Sequence, residues 1–252
     1  MSTRSPSALW RSSAALVGAV VAVGVLLTAP SAREPTPERV LLSPTADPST
    51  SQTVTWRADT TDEPALQIAP AHDPDHLTTV QAQRTGQAGG TYYAATATDL
   101  EPGTTHRYRV GDLRGRFSDW VEFTTAADTA EPFSFLYFGD LQNDITEGAA
   151  PVVRAALEAE PESKLAIHAG DLVDEANDDE EWDQWFEAFG PHTTADINHL
   201  ATPGNHEYTT ALSLSDHWQP QFPGAGNGPD DGGDDSMRLL LLSEEENEAK
   251  ND

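Results

Sequence analysis

The 252-residue chain contains no cysteine, which excludes disulfides, thiolate metal sites and cysteine nucleophiles. Basic residues are also scarce: 14 Lys and Arg stand against 42 Asp and Glu, and the lysines are Lys164 and Lys250 alone. The net charge of −28 argues against nucleic acid as a partner, because phosphate backbones are bound by clustered Lys and Arg. Acidic residues are spread along the whole chain, so we expect a salt-adapted protein whose self-repulsion is screened at high salt.

Long apolar runs are almost lacking, and the longest one lies near the N-terminus. Arg4 and Arg11, the apolar run from Ala14 to Leu27, and small residues up to Ala32 are typical of a signal peptide over 1–32. We therefore expect export to a secreted, periplasmic or cell-surface location, with a Pro-rich linker at 33–38 and no membrane span after cleavage. The run is shorter than the roughly 20 residues of a spanning helix, although an uncleaved anchor is the alternative.

Residues 39–127 show short alternating segments separated by turn residues, a pattern typical of a small β-sandwich. Trp56 alternates with polar neighbours and is expected between the two sheets. A Pro-Gly turn precedes a strand carrying Tyr108, as in the corner that joins two sheets of an immunoglobulin-like fold. This region resembles the fibronectin type III domain that precedes the catalytic domain of purple acid phosphatases. The predicted strands are 39–43, 52–57, 65–69, 78–84, 92–97, 106–110 and 120–124.

After an acidic joint at 126–132, strands and helices alternate in the order expected of a parallel sheet. The predicted strands are 133–138, 165–169 and 199–202, and the predicted helices are 146–159, capped by Thr146, and 178–189. We expect a partial α/β domain over 133–222, with the aromatic stripe of the second helix in the core and His168 packed within its strand. We expect a short helix at Ser213 to Trp218 and a disordered acidic tail at 223–252.

Hard oxygen ligands follow each of the three predicted parallel strands, so they should gather along one edge of the sheet. Asp140 follows the first strand, Asp171 the second and Asn205 the third. Such a set suits a pair of divalent cations that activate water for attack on a phosphoester. Asp171 is the candidate bridge, because Gly170 permits close backbone approach, while Asp140 would hold the first metal and Asn205 the second. His206 would bind phosphate or protonate the leaving group, and Glu207 would orient His206 or its backbone.

The motifs Phe138-Gly139-Asp140, Gly170-Asp171-Leu172-Val173-Asp174 and Gly204-Asn205-His206-Glu207 resemble the first three blocks of the calcineurin-like metallophosphoesterases. With the sandwich in front of them, they most resemble the purple acid phosphatase branch. The resemblance implies a small phosphoester substrate and a metal pair of Fe, Mn or Zn. Two positions depart from the family: Gln142 stands where the wider family has a His, and Asp174 where the purple enzymes have a metal-binding Tyr. We therefore expect a divalent pair rather than an iron-tyrosinate site.

The resemblance also implies later histidine blocks, which do not follow Glu207 in this sequence. We therefore expect a truncated catalytic domain whose metals are incompletely coordinated. The alternative is a noncatalytic secreted module in which the fibronectin-like domain binds a partner and the phosphatase half is vestigial.

Overall fold

The computed structural model describes Met1 and residues 37–209 and 213–224. In this part of the chain eleven strands form one seven-stranded and one four-stranded sheet. The strands are β1 (Glu38–Ser43), β2 (Gln52–Ala58), β3 (Pro64–Pro70), β4 (Thr78–Gln81), β5 (Gln83–Gln87), β6 (Thr91–Ala97), β7 (Thr105–Asp112), β8 (Val121–Thr124), β9 (Phe135–Phe138), β10 (Leu165–His168) and β11 (Asn198–Ala201). The helices are α1 (Ala150–Ala159), α2 (Asp179–Asp196) and α3 (Trp218–Gln221).

The first eight strands form the predicted β-sandwich. The smaller sheet has the order β4-β3-β7-β8 and is antiparallel throughout. Inward-facing apolar residues of both sheets, with Trp56 fully buried among them, build the core between the layers. The segment 78–84, predicted as one strand, is two: the chain leaves the small sheet after Gln81, passes the buried Ala82 and enters the large sheet as β5.

The predicted parallel strands are also present, which confirms the fold class. β10 pairs in parallel with β9 on one side and with β11 on the other, over four residues in each case. The two inter-strand segments carry α1 and α2. Because parallel neighbours end at the same edge, the three loops that follow β9, β10 and β11 start side by side.

The two regions share a sheet. The large sheet has the order β5-β6-β2-β1-β11-β10-β9, and β1 pairs in parallel with β11 through Leu42 and Asn198. The Gln52 amide donates to the Asn198 side chain at 2.9 Å, and Thr194 donates to the Val40 carbonyl at 2.8 Å. The predicted domain boundary between residues 127 and 133 therefore separates two regions that are hydrogen-bonded to each other in the fold.

Helix α2 supplies the core of the α/β region. Trp182 and Trp185 are fully buried and pack with Phe186 and Phe189, as the helical spacing predicts. The helix begins after Asp178, whose carboxylate accepts from the Glu180 N–H at 2.9 Å. It continues beyond the predicted end at Phe189, with a break at Gly190, where the backbone has φ 82°.

Two sequence-based expectations are wrong in detail. Thr146 does not cap a helix, because a π-helical turn at Ile145–Ala149 precedes α1 and starts from Asp144 in a left-handed conformation. The stretch Ser213 to Trp218 is not a helix; Leu214 pairs with Tyr208 in an isolated bridge, and α3 begins only at Trp218. The strand that carries Tyr108 is present as predicted, and the Tyr108 hydroxyl donates to the Ala195 carbonyl in α2 at 2.6 Å.

The expected signal peptide at 1–32 apart from Met1, most of the linker at 33–38 and nearly all of the tail at 223–252 lie outside the described residues. Within the described part of the chain, no helix combines the length and the apolarity that crossing a bilayer requires.

Candidate active site

The three strand-end loops are joined by backbone hydrogen bonds. The Asp140 N–H donates to the Gly170 carbonyl at 3.2 Å, and the Gln142 N–H donates to the Asp171 carbonyl at 3.1 Å. The third loop closes onto the second, because the His206 N–H donates to the Asp171 carboxylate at 2.9 Å. The structure thus brings together the loops that carry all the predicted site residues.

Glycine is required where the second and third loops cross. Gly170 has φ +88°, and a Cβ there would overlap the backbone of Gly204. A Cβ on Gly204 would in turn collide with the Asp171 carboxylate and backbone. The two glycines therefore allow the loops to approach more closely than residues with side chains could.

Asp140 and Asp171 both have a left-handed backbone, with φ 54° and φ 53°. This conformation costs free energy for residues other than glycine, and such residues are concentrated at functional sites. Asp140 and Asn205 are exposed and Asp171 is half-buried, so the oxygen atoms of all three lie at or near the protein surface. The loops present two carboxylates and one amide at an open sheet edge.

Glu207 ties the second and third loops together. Its side chain is fully buried, and one carboxylate oxygen accepts from the N–H groups of Asp171 (2.9 Å) and Gly204 (2.7 Å). The other oxygen accepts from Leu172 at 2.7 Å and from Val173 at 3.4 Å. Burial raises the pKa of the Glu207 carboxyl, and these N–H donors offset part of the rise. Glu207 thus orients the two loops rather than the His206 ring.

The His206 ring is held by Asp174 instead. Its Nδ1 lies 2.8 Å from the Asp174 carbonyl oxygen and 3.2 Å from the Asp174 carboxylate. Because a carbonyl oxygen only accepts, Nδ1 carries the proton that it donates there. This hydrogen bond, with the nearby carboxylates, raises the pKa of His206 above its ordinary value. Asp174, which stands where the purple enzymes have a tyrosine, acts here as the partner of a histidine.

Gln142 clamps the first loop to the second. In the amide orientation that satisfies its hydrogen bonds, its Nε2 donates to the backbone carbonyls of Asp171 at 2.9 Å and of Asp140 at 3.2 Å. The side chain is buried. Gln142 therefore supports the carboxylate loops by fixing their backbones.

The ligand atoms of Asp140, Asp171 and Asn205 are of the type that binds divalent cations, but they are too few to complete a metal pair. Carboxylate and amide oxygens are hard ligands of the kind that such cations take in proteins. Among residues 37–209 and 213–224, however, no group of three or more His, Asp or Glu side chains is arranged to hold a metal ion. Asp140, Asp171 and Asn205 would supply some of the ligands of a metal pair, and they do not complete it.

The buried histidines of the neighbouring strands are not part of this edge. His168 is packed within its strand as predicted, stacks on His199 with ring centroids 5.1 Å apart, and shares a 2.9 Å hydrogen bond with it. Burial holds the pKa of His168 well below its ordinary value and lowers that of His199 to about 4. Both rings are therefore neutral near pH 7.

Sequence reasoning missed an ion-pair cluster that joins β1 and β2 to helix α2. Arg39 and Arg57, from β1 and β2, are almost fully buried and bind Asp179 and Asp183 in the first turns of α2. His217 joins this cluster through a 3.1 Å contact with Asp179. The available signal was the presence of two arginines in strands with alternating residues, in a chain with few basic residues. Their aspartate partners in α2, however, lie more than 120 residues away in the sequence.

Comparison with known families covers most of the described residues. Residues 37–125 match the family "Purple acid Phosphatase, N-terminal domain", and residues 133–244 match the family "Calcineurin-like phosphoesterase". The resemblance drawn from the sequence is thereby confirmed. No curated protein matches the chain.

Two solved structures share the fold over most of the chain. The purple acid phosphatase PPD1 from seeds of yellow lupin (Lupinus luteus) has a TM-score of 0.59 at 18% identity, covering 80% of this chain and 38% of that one. A structure of PhoD has a TM-score of 0.53 at 14% identity, covering 73% of this chain and 42% of that one. The chain thus spans less than half the length of either protein, and at these identities the likeness concerns the fold alone.

Proposed function

Because the chain joins a purple acid phosphatase N-terminal domain to a calcineurin-like phosphoesterase domain, we propose that it is an exported, metal-dependent hydrolase of small phosphoesters. The observation that carries the proposal is the edge at which Asp140, Asp171 and Asn205 follow adjacent parallel strands. The left-handed backbone of both aspartates supports it, because an unfavourable conformation kept at two neighbouring loops points to a functional constraint.

We assign a separate role to each of the three metal-ligand candidates. Asp171 would be the carboxylate shared by two cations, Asp140 would be a ligand of the first and Asn205 would be a ligand of the second. A bound Mn, Zn or Fe(II) pair would polarise the phosphoryl group and lower the pKa of a water molecule. Ligands that complete the metal pair would have to come from outside the described residues.

His206 is the side chain at this sheet edge that can carry a positive charge in addition to that of bound metal ions. Its raised pKa favours the imidazolium form, which binds a phosphate oxygen or protonates the departing alkoxide. With Nδ1 held by Asp174, the free nitrogen for this task is Nε2. The arrangement favours activity at acidic to neutral pH, since the imidazolium form is lost as the pH rises through the folded-state pKa.

Export is proposed from the leader alone. The basic and apolar pattern of residues 1–32 supports cleavage near Arg33. N-terminal sequencing of the mature protein from its host would test this: a start near Arg33 supports cleavage, whereas an intact Met1 in the membrane fraction supports the uncleaved anchor.

The activity is tested by hydrolysis of p-nitrophenyl phosphate by the full chain, with and without added Mn²⁺ or Zn²⁺. We expect metal-stimulated turnover that falls at least 100-fold in Asp171→Ala and is retained in Asp75→Ala, an exposed aspartate in the loop before β4. Turnover that depends on neither metal nor Asp171 would refute the assignment. No turnover at all would instead favour the noncatalytic secreted module.

A further inference from the structure

Glu181, in the first turn of α2, is bonded to the loop that holds the His206 ring. Its Oε2 atom accepts from the Asp174 N–H and from the Glu175 N–H, at 2.8 Å in each case. The peptide unit that carries the Glu175 N–H also carries the Asp174 carbonyl, and this carbonyl oxygen lies 2.8 Å from His206 Nδ1. A carboxylate, a peptide unit and an imidazole therefore form one continuous series of hydrogen bonds.

The peptide unit in the middle of this series couples its two ends. The bond between Asp174 and Glu175 is trans, so its N–H and its C=O point in opposite directions within one plane. An acceptor at the N–H therefore fixes the direction in which the carbonyl oxygen points. Hydrogen bonds in series also polarise one another, so the Glu181 carboxylate strengthens the Asp174 carbonyl as an acceptor for the imidazole.

Stabilisation of the helix terminus does not account for the contacts of Glu181. Asp178 is the N-cap of α2, and Glu181 follows it at the spacing of a capping box. In that motif the glutamate would accept from the N–H of the N-cap residue. The Asp178 N–H instead donates to the Glu175 carbonyl at 2.8 Å. The Glu181 carboxylate is thus directed to two residues that precede the helix.

The segment after Asp174 has a second attachment to the core. Trp182, next to Glu181 in α2, is fully buried, and its Nε1–H donates to the Ala176 carbonyl at 2.9 Å. The Ser215 hydroxyl donates to the same carbonyl. Loss of the Glu181 carboxylate would therefore release the Asp174 end of the segment, while Ala176 keeps the rest of it attached to α2.

We infer that Glu181 is a positioning residue of the candidate active site, which orients the His206 ring through the Asp174 peptide unit. The catalytic consequence of this role rests on the proposed phosphoester hydrolysis. With Nδ1 held by the carbonyl, Nε2 is the ring nitrogen left for the phosphoester. Without the Glu181 carboxylate, the carbonyl can turn, and the ring spends less time in the orientation that the reaction needs.

NMR spectroscopy of the ¹⁵N-labelled full chain tests the positioning without turnover. At alkaline pH, where the His206 ring is neutral, we expect the Nδ1–H tautomer to predominate in wild type. In Glu181→Ala, the ratio of the Nδ1–H to the Nε2–H tautomer should fall about tenfold, and the Asp174 and Glu175 amides should exchange with solvent about tenfold faster. Glu181→Gln keeps an oxygen acceptor and should preserve both properties.

Glu180→Ala is the matched control, because Glu180 is an exposed glutamate in the same turn of α2, and it should change neither property. Faster exchange of the two amides in Glu181→Ala with an unchanged His206 tautomer would show that Glu181 serves the loop alone, and would overturn the inference. An equal change in Glu180→Ala would overturn it as well.

Hydrolysis of p-nitrophenyl phosphate with Mn²⁺ measures the consequence for the reaction. We expect kcat to fall about tenfold in Glu181→Ala with KM within about twofold, and Glu181→Gln to retain kcat within about threefold. If the NMR pattern is found without hydrolysis of any phosphoester, the positioning of the ring stands and the proposed function fails. If hydrolysis depends on metal and on Asp171 but is unaffected by Glu181→Ala, the positioning role fails alone.

Discussion

Replacing Asp179 by Asn should weaken the contact between the sandwich and helix α2. The Asp179 carboxylate lies 2.7 and 2.8 Å from Arg57 Nη1, 3.0 Å from Arg39 Nη2 and 3.1 Å from His217 Nε2. The side chains of Arg39 and Arg57 are only 2% and 6% exposed, and they also share Asp183. An amide in place of the carboxylate removes the negative charge and turns an N–H₂ group toward donors.

The expected loss is about 2–3 kcal/mol in the free energy of unfolding. Breaking a fully buried ion pair costs roughly 3–5 kcal/mol, because the remaining charge is left uncompensated. The loss expected for Asp179→Asn is smaller than this because the Asp179 side chain is 36% exposed, so water screens part of the interaction. In addition, Asp183 still neutralises part of the arginine charge. Such a loss is a large fraction of the ~5–15 kcal/mol that stabilises a typical domain.

The dependence on pH has a definite sign. Burial raises the pKa of Asp179, but Arg39 and Arg57 outweigh it and hold the pKa below its ordinary value of 3.8. A carboxyl with a depressed pKa stabilises the fold above its ordinary pKa and loses that contribution as the pH falls through the folded-state value. The contribution of the Asp179 carboxylate should therefore be complete above about pH 5 and shrink below 3.8.

The assay is urea unfolding at pH 7 and at pH 3, followed by tryptophan fluorescence, since the buried Trp182 lies next to this cluster. Asp75→Asn, which removes the same charge from an exposed loop, is the control and should change the unfolding free energy by less than 0.5 kcal/mol, roughly the limit for surface substitutions. If Asp179→Asn behaves like the control, the cluster does not hold the sandwich to α2.

Three other outcomes are expected. Tyr108→Phe should lose about 1–2 kcal/mol in urea unfolding, because it removes the buried bond to Ala195, whereas Tyr137→Phe, at an exposed ring, should lose nothing measurable. Between pH 6.5 and 5 the free energy of unfolding should fall by about 1.5 kcal/mol through His199, whose folded-state pKa is about 4, and buried His168 should add to the fall, so His199→Phe should reduce the slope without abolishing it. Stability should rise from low to multimolar salt as the charge of −28 is screened; equal stability would contradict the salt adaptation.

The strand-end motifs could be located from the sequence because their signal is local. An apolar run followed by Gly-Asp or Gly-Asn predicts both the strand and the side chain that leaves its end. The structure places Asp140, Asp171 and Asn205 as the parallel order requires.

The supporting contacts of the site could not be predicted in the same way. Glu207 follows His206 directly, so adjacency suggested that one orients the other, yet its oxygens accept from residues 34–36 positions away as well as from Gly204. Asp174 marked a departure from the family, and only the folded loop shows that it holds the His206 ring. Such contacts depend on how two loops cross in the fold, and the pattern of residues along the sequence does not predict that crossing.

The shared sheet is another long-range feature. β1 is amphipathic and fits a sandwich edge, and nothing local indicates that it pairs with β11, about 150 residues later. The switch at Ala82 was hidden for a related reason, since a strand that changes sheets keeps the same alternation of residues.

Binding of Mn²⁺ to the full chain, measured by calorimetry in wild type, Asp171→Ala and Asp75→Ala, tests most directly whether the strand-end edge is a metal site. The account predicts that Asp171→Ala weakens Mn²⁺ binding at least tenfold while Asp75→Ala leaves it unchanged. Equal affinity in all three proteins would contradict the account.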